Sequence, residues 1–150
     1  PHLAHLTDVF YIGGTKCGAL LGEAVVFPHP APVPHFFTFV KQSGALLAKG
    51  RVLGIQFDTL FTDGLYARGG AHAVRMADRI RAALVEKGYR LAVDSPTNQI
   101  FLALRSEQLA HLSAHVSMGF WEKRGDVTVM RLATSWATQE EAVERLIELL

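Results

Sequence analysis

Lys16 is the residue whose surroundings in the sequence most directly indicate covalent chemistry. It lies in a glycine-rich segment, residues 13–22, that joins two short apolar runs. We expect these runs to be strands and the segment to be a bend that shields the lysine from water. Burial favours the neutral form of a lysine amine, and a neutral amine forms Schiff bases with aldehydes. The alternative is an ordinary surface lysine at a hairpin tip.

Arg131 is a second candidate, because it is a charged residue within an apolar run, residues 127–132. Successive side chains of a strand point to opposite faces, so Arg131 shares a face with Val127 and Val129. If that face is the inward one, the guanidinium needs a partner, since an unpaired buried charge is strongly unfavourable. A planar guanidinium suits a substrate carboxylate, which it binds through two parallel hydrogen bonds. The alternative is an internal ion pair with a Glu or Asp of this chain.

Weaker candidates are polar residues at the ends of predicted elements. Asn98 lies in a polar turn, residues 95–99, where it either donates to a ligand or closes an Asx turn. Lys41 lies near the start of a predicted helix, where it either reaches a phosphate or belongs to a solvated face. His111 and His115 have the spacing of two metal ligands on one helix face, but no Glu follows His111 as it does in metalloproteases. We interpret both histidines as surface or half-buried residues and predict no metal site.

The composition restricts the class of protein. The chain has 150 residues, of which 49% are hydrophobic and 19% charged, so a sizeable core is expected and a disordered tail is excluded. The formal net charge of +1 gives no electrostatic reason to expect nucleic acid or a membrane surface as a partner. One cysteine, Cys17, excludes a disulfide framework. No apolar run approaches the roughly 20 residues of a membrane span, so we predict a soluble, cytoplasmic protein.

Two predicted strands, residues 8–12 and 23–27, flank the segment that contains Lys16. Each is a short apolar run, stopped by Gly13 and Pro28 respectively. The short connection between them predicts an antiparallel pair. Alternating prolines then predict an exposed loop over residues 28–34.

The remaining pattern predicts helices first and then alternating strands and helices. In chain order these are helices 36–65 and 67–87, strands 91–93 and 99–104, helix 106–115, strand 127–132 and helix 139–150. Gly88 is expected to be the C-cap of the second helix. Thr138 is expected to be the N-cap of the last helix, with Glu141 completing a capping box. The alternation predicts a small α+β layer on one face of a sheet, with the domain boundary near residues 66–71.

Four segments, taken together, carry a resemblance to a known family. They are residues 8–23 around Lys16, residues 41–50 beginning with Lys41-Gln42, the turn Ser95-Pro96-Thr97-Asn98, and residues 130–138 around Arg131. In this order they are similar to the pyridoxal-phosphate-dependent threonine aldolase and β-eliminating lyase family, which has the aspartate-aminotransferase fold, fold type I. The resemblance covers essentially the whole chain. It implies an α/β fold, with the end of the cofactor-binding large domain over residues 1–68 and a small domain over residues 69–150.

The resemblance also implies roles for the candidate residues. Lys16 would bind pyridoxal phosphate covalently, and Thr15 and Lys41 would contact the cofactor. Arg131 and Asn98 would bind the amino-acid substrate, Arg131 through the carboxylate. The implied reaction is retro-aldol cleavage of the Cα–Cβ bond of L-threonine or L-allo-threonine, which yields glycine and an aldehyde. A homodimer or homotetramer with shared active sites is implied as well.

The length of the chain departs from the family pattern. Family members are much longer, and their earlier parts supply the phosphate-binding loop, the group stacked on the ring and the aspartate paired with its nitrogen. Because the chain begins at Pro1, close to a strand, we expect it to be the C-terminal portion of the enzyme and inactive alone. The alternatives are another fold-type-I β-eliminating lyase or aminotransferase, and a non-catalytic interaction module.

Overall fold

The computed structural model describes residues 2–29 and 33–150. Pro1 lies outside the described residues, as do Pro30 and Pro32 of the predicted proline loop. The chain divides into two compact units, the first ending at Tyr66 and the second running from Ala67 to Leu150. The functional division into a cofactor-binding part and a small domain stays a prediction.

The first unit contains a two-stranded hairpin and several helices. Strand β1 (Phe10–Gly13) pairs with β2 (Glu23–Val26) in antiparallel register, which confirms the predicted hairpin around Lys16. The helices are α1 (His2–Leu6), α2 (Phe36–Gln42) and α3 (Arg51–Phe61). One side of α3 supplies the buried side chains of Phe57 and Leu60.

The prediction of one helix over residues 36–65 was wrong. Helix α2 ends at Gln42, and Gly44 then adopts a positive φ of 69°, a conformation that a right-handed helix does not contain. After α3 a 3-10 turn, Thr62–Gly64, includes Asp63 at φ 50°. The second predicted helix is confirmed as α4 (Leu65–Glu86).

The end of α4 confirms the predicted role of Gly88. This glycine has φ 77°, and its amide N–H donates to the carbonyl of Val85 at 3.1 Å. The next amide, that of Tyr89, donates to the carbonyl of Leu84 at 2.8 Å. These two bonds form a Schellman motif, which satisfies carbonyl groups that the helix end would otherwise leave without partners.

The second unit alternates strands and helices, which confirms the predicted α+β layer. After α4 its elements are β3 (Arg90–Val93), β4 (Gln99–Leu104), α5 (Ser106–Ser113), β5 (Gly119–Arg124), β6 (Val127–Ala133) and α6 (Glu140–Leu149). The four strands form an antiparallel sheet in the order β3–β4–β6–β5.

The core of the second unit lies between one sheet face and helices α4, α5 and α6. Alternate residues of β4 face this core, as the period of a strand requires, and Met130 of β6 joins them. The central cluster consists of Met76, Ala77, Ile80, Leu84, Ile100, Leu102, Leu104, Leu112, Met130 and Val143. The opposite sheet face is therefore the one available for other contacts.

Strand β5 was not predicted. It lies at the edge of the sheet, and five of its six residues are exposed. An edge strand of this kind lacks the apolar alternation by which a half-buried strand is recognised. The signal that would have revealed it is the turn after Arg124, in which Gly125 has φ 59°. A glycine at the first position of a two-residue turn is typical of β-hairpins.

The start of α6 corrects the predicted cap. The N-cap is Gln139, which makes no side-chain capping bond. The hydroxyl of Thr138 instead accepts the amide N–H of Ser135 at 2.8 Å. The hydroxyl is therefore used in the preceding turn, and the predicted capping box with Glu141 was wrong.

None of the helices in residues 2–29 and 33–150 combines the length and the hydropathy that a membrane-spanning helix requires. Within the same part of the chain, no group of three or more His, Cys, Asp or Glu side chains is placed to hold a metal ion.

Candidate active site

The lysine turn, residues 13–22, connects β1 to β2 through a short 3-10 helix, Thr15–Cys17. The carbonyl oxygen of Gly14 accepts the amide N–H groups of Cys17 and Ala19, both at 2.9 Å. Two hydrogen bonds to one carbonyl close the turn on itself. The backbone of Lys16 is therefore held in a defined position between the two strands.

Glycine is required at two positions of the lysine turn. A Cβ at the buried Gly14 would lie 2.6 Å from the Cβ of Ala19 and 3.0 Å from Cζ of Phe57. Gly22 has φ 86°, and a Cβ there would lie 2.6 Å from Cδ2 of Leu53. The lysine turn can therefore pack directly against α3, which carries both Leu53 and Phe57.

The substitution Gly14→Ala is expected to lower the free energy of unfolding by about 1–3 kcal/mol, because the added methyl group overpacks the turn. Backbone strain is not the cause, since Gly14 has right-handed φ and ψ angles of −107° and −34°. Urea denaturation measures the change. The matched control is Gly54→Ala in α3, where nothing lies within 4 Å of the added Cβ and helix propensity improves. Equal losses of stability in the two variants would contradict this account.

Gln56 of α3 holds the second half of the lysine turn. Its Oε1 accepts the amide N–H of Leu20 at 2.6 Å and that of Leu21 at 3.4 Å. Its Nε2 donates to the carbonyl of Val52 at 3.2 Å, which fixes the orientation of the side-chain amide. One helix side chain therefore satisfies two backbone donors of an irregular segment, as such groups require.

Tyr66 holds the first half of the lysine turn. Its hydroxyl donates to the carbonyl of Gly13 at 2.8 Å, and its ring packs edge-on against Phe61 with centroids 5.6 Å apart. Burial raises the pKa of the Tyr66 phenol above its ordinary value, and the neighbouring Cys17 thiol raises it further. The phenol therefore stays protonated at neutral pH and remains a donor to Gly13.

The substitution Tyr66→Phe is expected to lower the free energy of unfolding by about 1 kcal/mol, because the carbonyl of Gly13 loses its donor. Thermal or urea denaturation measures this loss. Tyr11→Phe is the control, since Tyr11 is an exposed tyrosine of β1 whose hydroxyl should contribute little. A Tyr66→Phe chain as stable as the Tyr11→Phe chain would show that the bond to Gly13 does not stabilise the turn.

The side chain of Lys16 itself is exposed, so the expectation that the bend buries it was wrong. The turn packs against α3 through Gly14 and Ala19, which are buried, and this leaves Lys16 on the outer side. Among residues 2–29 and 33–150, none forms a hydrogen bond or ion pair with the Lys16 ammonium group. Thr15 is exposed beside it, and Lys41 is exposed in the last turn of α2.

Arg131 lies on β6, on the sheet face opposite the helices. Its Nη1 donates to Oε1 of Gln99 at 3.3 Å, and its Cζ lies 5.8 Å from the centre of the Trp121 ring. Phe101 is directly opposite Arg131 on β4, and its ring meets that of Trp121 edge to face at 5.0 Å. We call these four residues the arginine platform.

Burial of Arg131 was considered for the case in which the face of Val127 and Val129 is the inward one, but the residue is exposed. Its partner is the neutral Gln99, so the internal ion pair considered as an alternative does not describe this contact. The physical reason is that β6 is apolar on both faces. Met130 belongs to the helix-covered core, whereas Val129 is buried on the face that Arg131 shares.

Asn98 joins β4 to the end of β6. Its side-chain Nδ2 donates to the carbonyl of Thr134 at 2.6 Å, and its backbone carbonyl accepts the amide N–H of Thr134 at 3.0 Å. The polar turn before it is closed by hydroxyl groups, since Ser95 Oγ accepts from the Thr97 amide and Thr97 Oγ1 accepts from the Gln99 amide. The Asx-turn interpretation of Asn98 was therefore wrong. Asn98 fixes the start of the strand that carries Gln99.

Similarities to known proteins relate these features to a family. A low specificity L-threonine aldolase of Pseudomonas sp. (strain NCIMB 10558) is 31% identical over 140 residues, which are 93% of this chain. A solved structure of Leishmania major threonine aldolase is 42% identical and aligns with 98% of this chain and 43% of that one, with a TM-score of 0.92. The chain is thus similar to threonine aldolases over nearly its whole length. The resemblance predicted from the sequence is confirmed.

The fold class is confirmed in the same way. A serine palmitoyltransferase whose structure holds pyridoxal phosphate is 14% identical and aligns with 86% of this chain and 35% of that one, with a TM-score of 0.56. At this identity the likeness concerns the fold alone, which is fold type I. This chain spans 40% of the length of the curated threonine aldolases that it matches. No protein-family model matches it.

Reasoning from the sequence of this chain missed the side chains that hold the candidate residues in place. Gln56 and Tyr66 reach the lysine turn from positions far along the chain, so no local pattern indicates them. Gln99 was detectable in part. It lies on β4, which pairs with the strand that carries Arg131, and the register of the two strands decides which of their residues share a face. Trp121 lies on the strand that was not predicted.

Proposed function

We propose that this chain contributes to a pyridoxal-phosphate-dependent aldehyde-lyase that cleaves L-threonine and L-allo-threonine to glycine and an aldehyde. The observation that carries the proposal is the likeness to a threonine aldolase at 42% identity over 98% of the chain. The likeness extends over both the lysine turn and the arginine platform. The two units therefore correspond to the end of a cofactor-binding domain and to a small domain.

In this proposal Lys16 is the catalytic residue and binds the cofactor covalently through its amine. The lysine turn fits that role, because its backbone is fixed by Gln56 and Tyr66 while the Lys16 side chain is exposed. Thr15, next to Lys16 on the same exposed turn, and Lys41 are proposed to contact the cofactor, a hydroxyl and a cation being suitable partners for its phosphate.

Arg131 and Asn98 are the proposed substrate-binding residues. Arg131 binds the carboxylate of the amino acid and so sets which bond at Cα is broken. It is exposed, and Gln99 and Trp121 hold it in place. Asn98 is proposed to contact the substrate from a fixed position, since its bonds to Thr134 hold it at the start of β4.

Cleavage requires a proton to leave the β-hydroxyl group while the Cα–Cβ bond breaks. The hydroxyl carbon becomes the aldehyde, and Cα keeps the electron pair and is then protonated to give glycine. When bound, pyridoxal phosphate supplies an aldehyde to which amines attach and a conjugated ring that accepts the electron pair from Cα. Arg131 keeps the substrate oriented during this change, and Lys16 provides the amine that the substrate displaces.

The experiment that tests the proposal is trapping of the covalent link. The protein that carries this chain, at its full natural length, is mixed with pyridoxal phosphate and reduced with borohydride, and its peptides are mapped by mass spectrometry. We expect the adduct on the peptide containing Lys16. An adduct confined to other lysines would contradict the assignment of Lys16, and a complete lack of adduct would favour a non-catalytic interaction module.

We also propose a cytoplasmic homodimer or homotetramer whose active sites are shared between subunits. The extensive exposed apolar surface of the first unit supports association, since side chains such as Leu20, Tyr11 and Ile55 are more than half exposed. Sedimentation of the full-length protein measures the oligomeric state.

A further inference from the structure

The guanidinium group of Arg131 is exposed yet held in one orientation. Gln99 binds its Nη1, and the ring of Trp121 lies beside its Cζ. Trp121 is held in turn by Phe101. The strand pairing is irregular between Phe120 and Glu122, so Trp121 is left without a direct partner on β6. An irregularity of this kind changes the direction in which a side chain points.

The remaining donors of Arg131 lie next to a glycine. A guanidinium has five N–H donors, and the bond to Gln99 uses one on Nη1. Gly119 of β5 is directly opposite Arg131. A Cβ on Gly119 would lie 3.7 Å from Nε and 3.8 Å from Nη2. The side of the guanidinium that presents Nε and Nη2 is therefore not covered by a side chain from position 119.

The backbone does not explain why position 119 is glycine. Gly119 is not among the glycines with positive φ, which are Gly18, Gly22, Gly44, Gly64, Gly88 and Gly125. The nearest atoms to its added Cβ stand at ordinary contact distances of 3.6–3.8 Å, and all three belong to Arg131. Gly119 is the first residue of β5, and a glycine in a strand often marks a place where a ligand or another group comes close.

We infer that Gly119 is a specificity-determining position, whose missing side chain keeps the Nε–Nη2 edge of Arg131 open to the carboxylate of the amino-acid substrate. Gln99 and Trp121 are positioning residues that hold this edge in place. The inference rests on the proposed function, in which Arg131 binds that carboxylate. A carboxylate that meets Nε and Nη2 forms two parallel charge-assisted hydrogen bonds. A branched side chain at position 119 would occupy the space beside both nitrogens.

The test measures carboxylate binding at Arg131 without any need for turnover. In the full-length protein, the NMR signal of the Arg131 Nε–H group is followed during titration with L-threonine. L-Threoninol, which lacks the carboxylate, is the control ligand and should leave the signal unchanged. We expect Gly119→Leu to raise the dissociation constant for L-threonine at least about tenfold, the effect of losing a charge-assisted bond, and Gly119→Ala to raise it less.

Lys123→Leu is the matched control, because it places the same side chain at an exposed position of the same strand. Its dissociation constant should equal that of the unmodified protein. A Gly119→Leu protein that melts like the control and binds L-threonine normally would overturn the inference, as would normal binding by the milder Gly119→Ala together with a shift caused by L-threoninol. If the protein cleaves no threonine but the signal responds as expected, the inference stands and only the proposed reaction fails.

Discussion

Lys16→Ala is expected to abolish covalent attachment of pyridoxal phosphate to the full-length protein. The Lys16 amine is the proposed point of attachment, and alanine cannot form the bond. After borohydride reduction, intact-mass measurement should show a full adduct on the unmodified protein and only background on the variant. The yellow absorbance of the bound cofactor should disappear with it, and so should aldehyde release from L-threonine.

Lys49→Ala is the control for this prediction, since Lys49 is another exposed lysine of the first unit. It should keep the full adduct and the colour. If Lys16→Ala also kept a full adduct, the lysine turn would not be the cofactor site. Equal melting temperatures of the two variants are needed, and they are expected because an exposed side chain contributes little to folding.

Arg131→Ala is expected to raise the KM for L-threonine about 30-fold while the cofactor colour stays unchanged. The lost interaction is a charge-assisted pair worth about 2 kcal/mol. Arg131→Lys should recover only part of the loss, because an ammonium keeps the charge but lacks the planar pair of donors. Steady-state kinetics and absorbance of the same samples measure both properties.

Arg90→Ala provides the matched control, because Arg90 is an exposed arginine of β3 in the same sheet. Its KM should equal that of the unmodified enzyme. Loss of colour in Arg131→Ala with an unchanged KM would contradict the role of Arg131 as the carboxylate partner.

Local patterns predicted those parts of the fold that local interactions determine. The apolar runs before and after the lysine turn pair as expected, and the end of α4 at Gly88 follows from the freedom of glycine to adopt positive φ. The prediction of one long helix over residues 36–65 failed at Gly44, where the same freedom ends α2. A glycine within a helical pattern does not by itself indicate whether the helix continues or ends there, since packing decides it.

The orientation of Arg131 shows a different limit. The alternation places Arg131 on the same face of β6 as Val127 and Val129, but Met130 is apolar too and faces the core. A strand that is apolar on both faces does not reveal which face the helices cover. The position of α4 against the sheet decides this, and it depends on contacts between residues distant in the sequence.

Residue types and spacing singled out most of the candidate residues and the family resemblance implied their roles, whereas their supports came only from the structure. Lys16 stands in a segment whose pattern of glycines is distinctive. The side chains that fix this segment, Gln56 and Tyr66, are separated from their partners by 35–53 positions. Such contacts follow from the packing of α3 and the start of α4 against the hairpin, and no spacing rule predicts them.

The most direct test of the central claim is product analysis of the full-length protein with pyridoxal phosphate and L-threonine. Aldol cleavage predicts glycine and acetaldehyde in equal amounts, with L-allo-threonine giving the same two products. Formation of ammonia and 2-oxobutanoate in their place would identify an eliminating lyase and contradict the account.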